Sequence, residues 1–461
     1  MSGLFFPLAK PSGCGAIIPP PLPSPRIRTT AVSNPIAAAV NPRAWGRRHA
    51  VLAMCFLAMF IAYTDRVNIS VAAVAMREQF GWSQTLKGFV LSSFFIGYML
   101  FMIASGWLAT RFGGKRVLAA SVIGWSFFTL LTPWAASVSI GVLIAARIGL
   151  GIGEAAVMPA TYEIFQRWVP ANERSRAVTR FLSGIPIGQI AGFAVTGWLT
   201  GLFGWPASFY LFGAIGFVWT AIWLAGIHNN PAEDKRVSTA ELELLQAHHD
   251  AADKISLRPA RELVWKAPVW AIFTAHFCNN WALYFLLGWL PSYFKDAMGL
   301  NFTNAGLYSA APWLAALVIG NLWAVLADRA IARGVAVVLV RKLTVGAGLL
   351  GLATFLWLVR HVQSPTHALA LVCAATGAFG IGWSGFAANM LDIAPRHCAI
   401  LIGVSNTLAT IPGIVGVAIT GWLLDRTGSY SVPFVLTAAI AIAGALIFFI
   451  FGRARRIDIE T

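Results

Sequence analysis

The chain has 461 residues, of which 58% are hydrophobic and 11% charged, with a mean hydropathy of +0.70. Soluble domains carry about 25% charged residues, so this balance excludes the ordinary globular class. A net charge of +16 would raise nucleic acid as a partner in a soluble protein; here the location of the charge decides otherwise.

Residues 1–49 contain "PPPLPSP", and no acidic residue precedes Asp65. Such a segment cannot build a packed core. It reads as a disordered basic tail or a start placed too early, with an organelle transit peptide as the alternative. From residue 50 onward, apolar runs of about twenty residues recur, each able to cross the roughly 30 Å hydrocarbon core as a helix. They predict twelve spans, at 50–73, 86–109, 117–136, 140–163, 177–201 and 207–228, then 268–294, 303–327, 335–359, 367–390, 400–424 and 432–452. Gly and Pro inside several of them do not count against a membrane helix. The expected fold is an all-α polytopic membrane protein of two six-helix bundles, 50–228 and 268–452. A linker at 229–267 joins them, and a tail follows at 453–461.

Lys and Arg set the orientation. With both termini in the cytoplasm, and basic residues near a span's end counted with the adjoining loop, 27 fall on the inside and 5 on the outside, while Arg66 and Arg147 lie deep within spans. The positive charge faces anionic lipid, and no nucleic-acid partner is needed.

Span 1 contains "IAYTDRVNIS", with Asp65 and Arg66 adjacent at membrane depth. Span 2 carries Tyr98 and closes on "GWLATRFGGKR" (106–116). Span 4 carries Arg147 and Glu154, seven residues apart on one helix face, with about 10 Å of rise between them. "GLGIGE" (149–154) lacks the strand and spacing of a nucleotide loop, and small residues for close helix packing explain it. Span 5 adds Gln189. In the linker, Ser238 and Glu241 have capping-box spacing before a short amphipathic helix expected along the membrane surface. Span 7 contributes Asn279, Asn280 and Tyr284, span 10 Ser384 and Asn389, and span 11 Asn406. Each of these, like Tyr98 and Gln189, could line a cavity but taken alone reads more readily as an interhelical hydrogen-bonding residue, and His276 carries no functional weight. "AVLADRAIARG" (324–334) echoes the end of span 2, and "GWLLDRTG" (421–428) echoes "GWLTGLFG" (197–204), the pattern left by duplication of a six-span unit. The five cysteines, Cys14, Cys55, Cys278, Cys373 and Cys398, are scattered without metal-ligand spacing, so no metal or cofactor is expected.

Left unpaired, the four intramembrane charges would cost roughly 10–14 kcal/mol on insertion scales. They must face the bundle interior, pair, or meet water. Asp65 and Arg66 diverge by about 100° around their helix, so Asp65 is expected to pair with Arg147, leaving Arg66 or Arg147 for an anion. A static ion-pair cluster that fixes helix register is the competing account. It is disfavoured because apolar replacements of buried pairs often stabilise as well or better.

"YTDRVNISVA" (63–72), "RIGLGIGEAAVMPA" (147–160), "WLPSYFKDAMGL" (289–300) and "NMLDIAPRHCAILIGVSNT" (389–407) occur in this order. Over residues 50–452 the chain resembles the major facilitator superfamily, and specifically its anion:cation symporters. These include sugar-acid, tartrate and phthalate permeases and organic-anion and phosphate carriers. The resemblance implies that Asp65 and Arg147 form a proton-sensitive pair. It further implies that Arg66 and Glu154 contact substrate or couple it to protons, and that Tyr98, Gln189, Ser384 and Asn406 line the site. Asn279 stands where some vesicular glutamate-type members have Arg. Arg111, Asp328 and Arg329 fall on the gating loops, and Thr110 replaces the Asp of the family's first-half gate motif.

The sequence therefore points to a monomeric proton-coupled importer of a small organic anion, acting by alternating access in a bacterial inner membrane. An organelle phosphate or organic-anion carrier is the alternative, as is an exporter or uniporter of the same superfamily. No nucleophile–base set supports an enzyme.

Overall fold

The computed structural model describes residues 45–247 and 262–457. The Pro-rich tail with Cys14, the middle of the linker and the last four residues lie outside the described residues. No strand occurs among the described residues. The helices form twelve spans. The first six are span 1 (Arg47–Phe80), span 2 (Gln84–Phe112), span 3 (Gly114–Val138), span 4 (Ile140–Glu154, continuing as Val157–Trp168), span 5 (Arg174–Leu182 and Gly184–Phe203) and span 6 (Pro206–Gly226). The second six are span 7 (Ala267–Ser292), span 8 (Phe302–Ala332), span 9 (Val337–Val359), span 10 (Pro365–Ile393), span 11 (Cys398–Thr427) and span 12 (Ser431–Phe451). Eleven of these are long and apolar enough to cross a membrane on composition alone. Span 7 is the exception because His276, Asn279 and Asn280 fall within it, and its burial at the centre of the bundle explains how it tolerates them.

Several helices outrun their apolar stretches. Span 1 begins at Arg47, inside the segment expected to be a tail, and runs to Phe80. It stops only at Gly81, whose φ of 64° is the left-handed cap that glycine accepts without strain. Spans 4 and 5, expected to be continuous, are interrupted at Ala155–Ala156 and at Ser183. At the first break Ser105 Oγ donates to the Ala155 carbonyl (3.2 Å) and Ser121 Oγ to that of Gly153 (2.5 Å). Neighbouring hydroxyls thus take up the carbonyls there, which lets an irregular backbone survive in an apolar setting.

Packing repeats with a period of six. Span 1 lies on 5 and 6, span 2 on 4, and span 3 on 4 and 6; in the second half 7 lies on 11 and 12, 8 on 10, and 9 on 10 and 12. The halves meet through spans 5 and 8 and through 2 and 11, which are equivalents of one another, and through 1 and 7. The 5–8 contact is backbone-close: a Cβ on Gly306 would sit 2.5 Å from the Phe193 carbonyl and 2.9 Å from Gly197 Cα.

The two ends differ. At the end away from Trp45 and Ile457, here the distal end, the halves are tied together. Arg77 pairs with Asp296 at 3.2 Å and Lys295 with Glu78 at 3.6 Å. Asp425 accepts the backbone N–H groups of Gln84 (2.9 Å) and Thr85 (2.7 Å), so span 11 caps the start of span 2. At the terminal end, ion pairs among the described residues stay within a half or its linker, as in Arg48–Glu173 and Arg341–Asp392. The linker helix Thr239–Ala247 is capped by Ser238, but Glu241 does not complete the capping box. Its carboxylate instead accepts the N–H groups of Arg47 and Arg48, each at 3.0 Å, and fastens the linker to the start of span 1. Asp234 adds to this joint through Arg47 (3.0 Å) and Arg236 (2.7 Å), and the Arg236 hydrogen bond holds its carboxyl well below the usual carboxylate range.

Candidate functional site

Glycines bring the charged spans into register. A Cβ on Gly97 would run into the Ile148 carbonyl and one on Gly151 into that of Phe94, so spans 2 and 4 are in backbone contact. This sets the Phe94 ring against span 4. On span 5, Gly188 and Gly192 admit span 1 just as closely. The glycines of 149–154 thus serve helix packing.

The four charges converge in the first half, but the expected pairing is wrong. Arg66 is bound to Glu154 rather than left for a ligand, with Nη2 at 2.5 Å and Nε at 3.0 Å from the same Oε2. Its guanidinium carbon lies 4.4, 4.8 and 4.9 Å from the ring centres of Tyr63, Phe94 and Tyr98. A pair thus stabilised on both sides is less costly to bury than a bare one. Asp65 forms no ion pair with Arg147. Its Oδ2 accepts the hydroxyl of Thr129 on span 3, while Oδ1 has no partner. The reason is the 100° step between successive residues: Arg66 faces the axis and span 4, and Asp65 turns toward span 3.

Arg147 is consequently the guanidinium of the cluster that has no ion pair among the described residues. It is 1% exposed, its Nε and Nη1 lack hydrogen-bond partners, and its guanidinium carbon stands 5.5 Å from the Phe94 ring. Phe94 therefore contacts both guanidinium groups. Arg66, Arg147, Phe94, Phe95, Ser70 and Tyr284 line a cavity of about 20 Å³, roughly room for one water. The small volume fits a seam shut on its distal side. Tyr284, from span 7, meets Phe95 with ring centres 4.5 Å apart and is the second half's polar contribution to this cavity.

The other expected lining residues divide. Tyr98 joins the cage, and Gln189 is buried on span 5. Asn280 donates to the Ala409 carbonyl (3.0 Å), tying span 7 to span 11. Asn389 is spent at the terminal end, where it donates to the Arg453 carbonyl (2.9 Å), and is not a cavity residue. Asn279 is fully buried against Gly382 with both amide atoms unpartnered. Ser384 donates to its own helix at Ile381, and Asn406 is half-buried on span 11. The gating set is not assembled. Arg111 stacks over Trp107 and Phe112, Thr110 bonds within its helix, and Asp328 and Arg329 are exposed with no ion pair to another described residue. This agrees with halves joined at the other end. Tyr63, Phe94 and Thr129 went unrecognised in the sequence. Tyr63 lies one turn before Arg66 and Phe94 one turn before Tyr98, a spacing that offers a signal; Thr129 offers none. Among the described residues no group of His, Cys, Asp or Glu is arranged to hold a metal.

Twelve helices in two repeated sets of six, sealed at one end around buried charge, define a polytopic membrane transport fold. Residues 55–416 match the family model of the Major Facilitator Superfamily. The chain belongs to that superfamily, whose members are transporters and not enzymes. It is 37% identical over 411 residues to the sodium-dependent phosphate transport protein 1, chloroplastic, of Arabidopsis thaliana, covering 89% of this chain and 80% of that one. It is 36% identical over 411 residues to the ascorbate transporter, chloroplastic, of the same plant, covering 89% and 76%. A bacterial homolog of the human lysosomal transporter Spinster, solved inward-facing and occupied, superposes with a TM-score of 0.74. It is 20% identical, covering 88% of this chain and 97% of that one.

Proposed function

We propose that the protein moves a small anion across its membrane by alternating access, with Arg147 as the binding cation. The observation that carries this reading is the buried guanidinium of Arg147 with two nitrogens unpartnered. Asp65 and Glu154 offset part of the cost of that cation through space, and an anionic occupant supplies the hydrogen-bond partners it lacks. The proton is the proposed coupling ion. With all four groups ionised the cluster is neutral, two positive against two negative. Protonating Asp65 or Glu154 leaves it at +1, ready for one negative cargo charge. Asp65 Oδ1 and Glu154 Oε1, both without partners, are the acceptors available for that proton. Arg66, held by Glu154 and its aromatic cage, orients the cargo once Glu154 lets go. Asn406, Tyr284 and Gln189 supply neutral contacts from the opposite walls.

The cargo class is a small organic anion or phosphate, and the ascorbate and phosphate named for the two plant relatives support both chemistries. Sodium in place of the proton is a second reading, favoured by the name of the first of those relatives. The terminal face, rich in basic residues, lies on the cytoplasmic side of a bacterial inner membrane; the chloroplast address of both relatives makes an organelle envelope the second reading.

Proteoliposome uptake tests this. Arg147→Met is expected to abolish saturable uptake of phosphate and ascorbate. Asp65→Asn is expected to keep exchange and lose accumulation driven by a pH gradient. Full uphill accumulation by Asp65→Asn would remove the coupling assignment, and a sodium requirement at constant pH would replace the proton.

A further inference from the structure

A second buried cation lies outside the cluster. Lys87, on the first turn and a half of span 2, is 0% exposed, and among the described residues no carboxylate comes within ion-pair distance. Its ammonium donates to Ser292 Oγ at 2.8 Å and stands 4.4 Å from the Trp289 ring centre; both residues are on span 7. Ser292 is its one hydrogen-bond acceptor among the described residues. An ammonium has three donors, so a single neutral hydroxyl leaves it poorly compensated. It also occupies the positive end of its helix dipole, where cations are disfavoured. The Trp289 ring and the more distant carboxylates of Asp296 and Asp425 offset part of that cost, and nothing in this closed arrangement repays the rest over a methionine.

Its place along the conduit does. Lys87, Leu91, Phe94 and Tyr98 recur at helical spacing on the inner face of span 2, so Lys87 stands about 10 Å distal to Phe94 and the guanidinium groups. The rim formed by Arg77–Asp296 and by Asp425 on Gln84 and Thr85 lies farther out still. Both partners of Lys87 belong to the opposite half, so separating spans 2 and 7 at the distal end uncovers the ammonium.

We infer that Lys87 is an outer anion-binding station: with the distal end open it takes the anionic group of the cargo and passes it to Arg147. When the seam closes, Ser292 and Trp289 replace the cargo and empty the station. The inference rests on the alternating-access reading above, and it adds a sidedness that Arg147, reached from both faces, does not have.

The test is uptake of inorganic phosphate into vesicles of either orientation, so that entry from the distal and terminal faces is measured separately. Lys87→Met, which keeps the apolar seam, is expected to raise KM about ten-fold or more from the distal face and less than two-fold from the terminal face. Lys87→Arg should hold the distal KM within about three-fold. Ser292→Ala removes the cover and leaves the cation, so its distal KM should stay level or fall. This second variant decides the matter even where Lys87→Met does not assemble. An unchanged distal KM in Lys87→Met, equal rises on both faces, or a ten-fold rise in Ser292→Ala would each overturn the inference. If the wild type takes up phosphate and ascorbate saturably from neither face, the transport reading falls and this inference with it. Loss from both faces in Arg147→Met alongside a one-sided loss in Lys87→Met supports both.

Discussion

Asp425 holds the distal seam by a device that can be removed cleanly. Its two carboxylate oxygens accept the N–H groups of Gln84 and Thr85 at 2.9 and 2.7 Å, across the interface between the halves. Removing a capping side chain costs about 0.5–2 kcal/mol, and an anion at a helix start contributes about 0.3–1 kcal/mol through the dipole. Ser83 still caps Leu86 at 3.1 Å, so span 2 keeps its start and the loss falls on closure. Asp425→Ala should therefore weaken the closed seam by about 1–2 kcal/mol, a shift of about 5–30-fold toward the distal-open form. Val417 reports it: the residue is fully buried in the seam, and its carbonyl accepts Trp289 Nε1 at 3.1 Å. With Val417→Cys in an otherwise cysteine-free background, a membrane-impermeant maleimide added at the distal face should label Asp425→Ala 5–30 times faster than its parent. Labelling within two-fold of the parent would refute the claim that this cap helps to close the gate.

Gly306→Leu should act more severely, because its side chain enters the Phe193 carbonyl; Val417→Cys labelling should rise and phosphate transport drop at least ten-fold. Glu154→Gln strips Arg66 of its anion, and breaking a buried pair costs about 3–5 kcal/mol. The aromatic cage offsets part of this, so the thermal midpoint should fall clearly in Glu154→Gln and hardly in Tyr63→Phe, which keeps the ring. Asp234→Asn loosens the linker joint. The native carboxyl is held below its unfolded value of about 3.9, so its contribution is fully present above that pH and is lost as pH falls through the lower folded value. The thermal stability gap between wild type and Asp234→Asn should accordingly shrink as pH falls below 4.

Much of the fold was legible because lipid imposes one rule on every span. Twelve apolar runs and a one-sided count of Arg and Lys identified the helices and their repeat, and packing of 1 on 5 against 7 on 11 follows the same duplication. Charges within apolar runs announced the four central residues for the same reason. The partners were not legible. Spacing along a helix says that Arg147 and Glu154 share a face, yet not which neighbour that face meets. Arg66 with Glu154 and Asp65 with Thr129 depend on how far glycines 97, 151, 188 and 192 let the spans close. The asparagines were ambiguous in kind, since an amide suits a cavity wall and a backbone carbonyl equally; Asn280 and Asn389 chose carbonyls. The breaks after Glu154 and at Ser183 left no mark, because hydroxyls on the neighbouring spans 2 and 3 make the first of them tolerable.

The architecture is two-fold and the chemistry is lopsided. The four midplane charges lie on spans 1 and 4, while their counterparts in the repeat, spans 7 and 10, answer with amides, aromatics and glycine. The first half carries the ionic cluster, and the second half closes on it as a neutral wall. Substitutions in that wall leave the four charges untouched, so new cargo shapes can be tried there one residue at a time. Diversification among such carriers would then be written chiefly in the second half, over a cluster that stays the same.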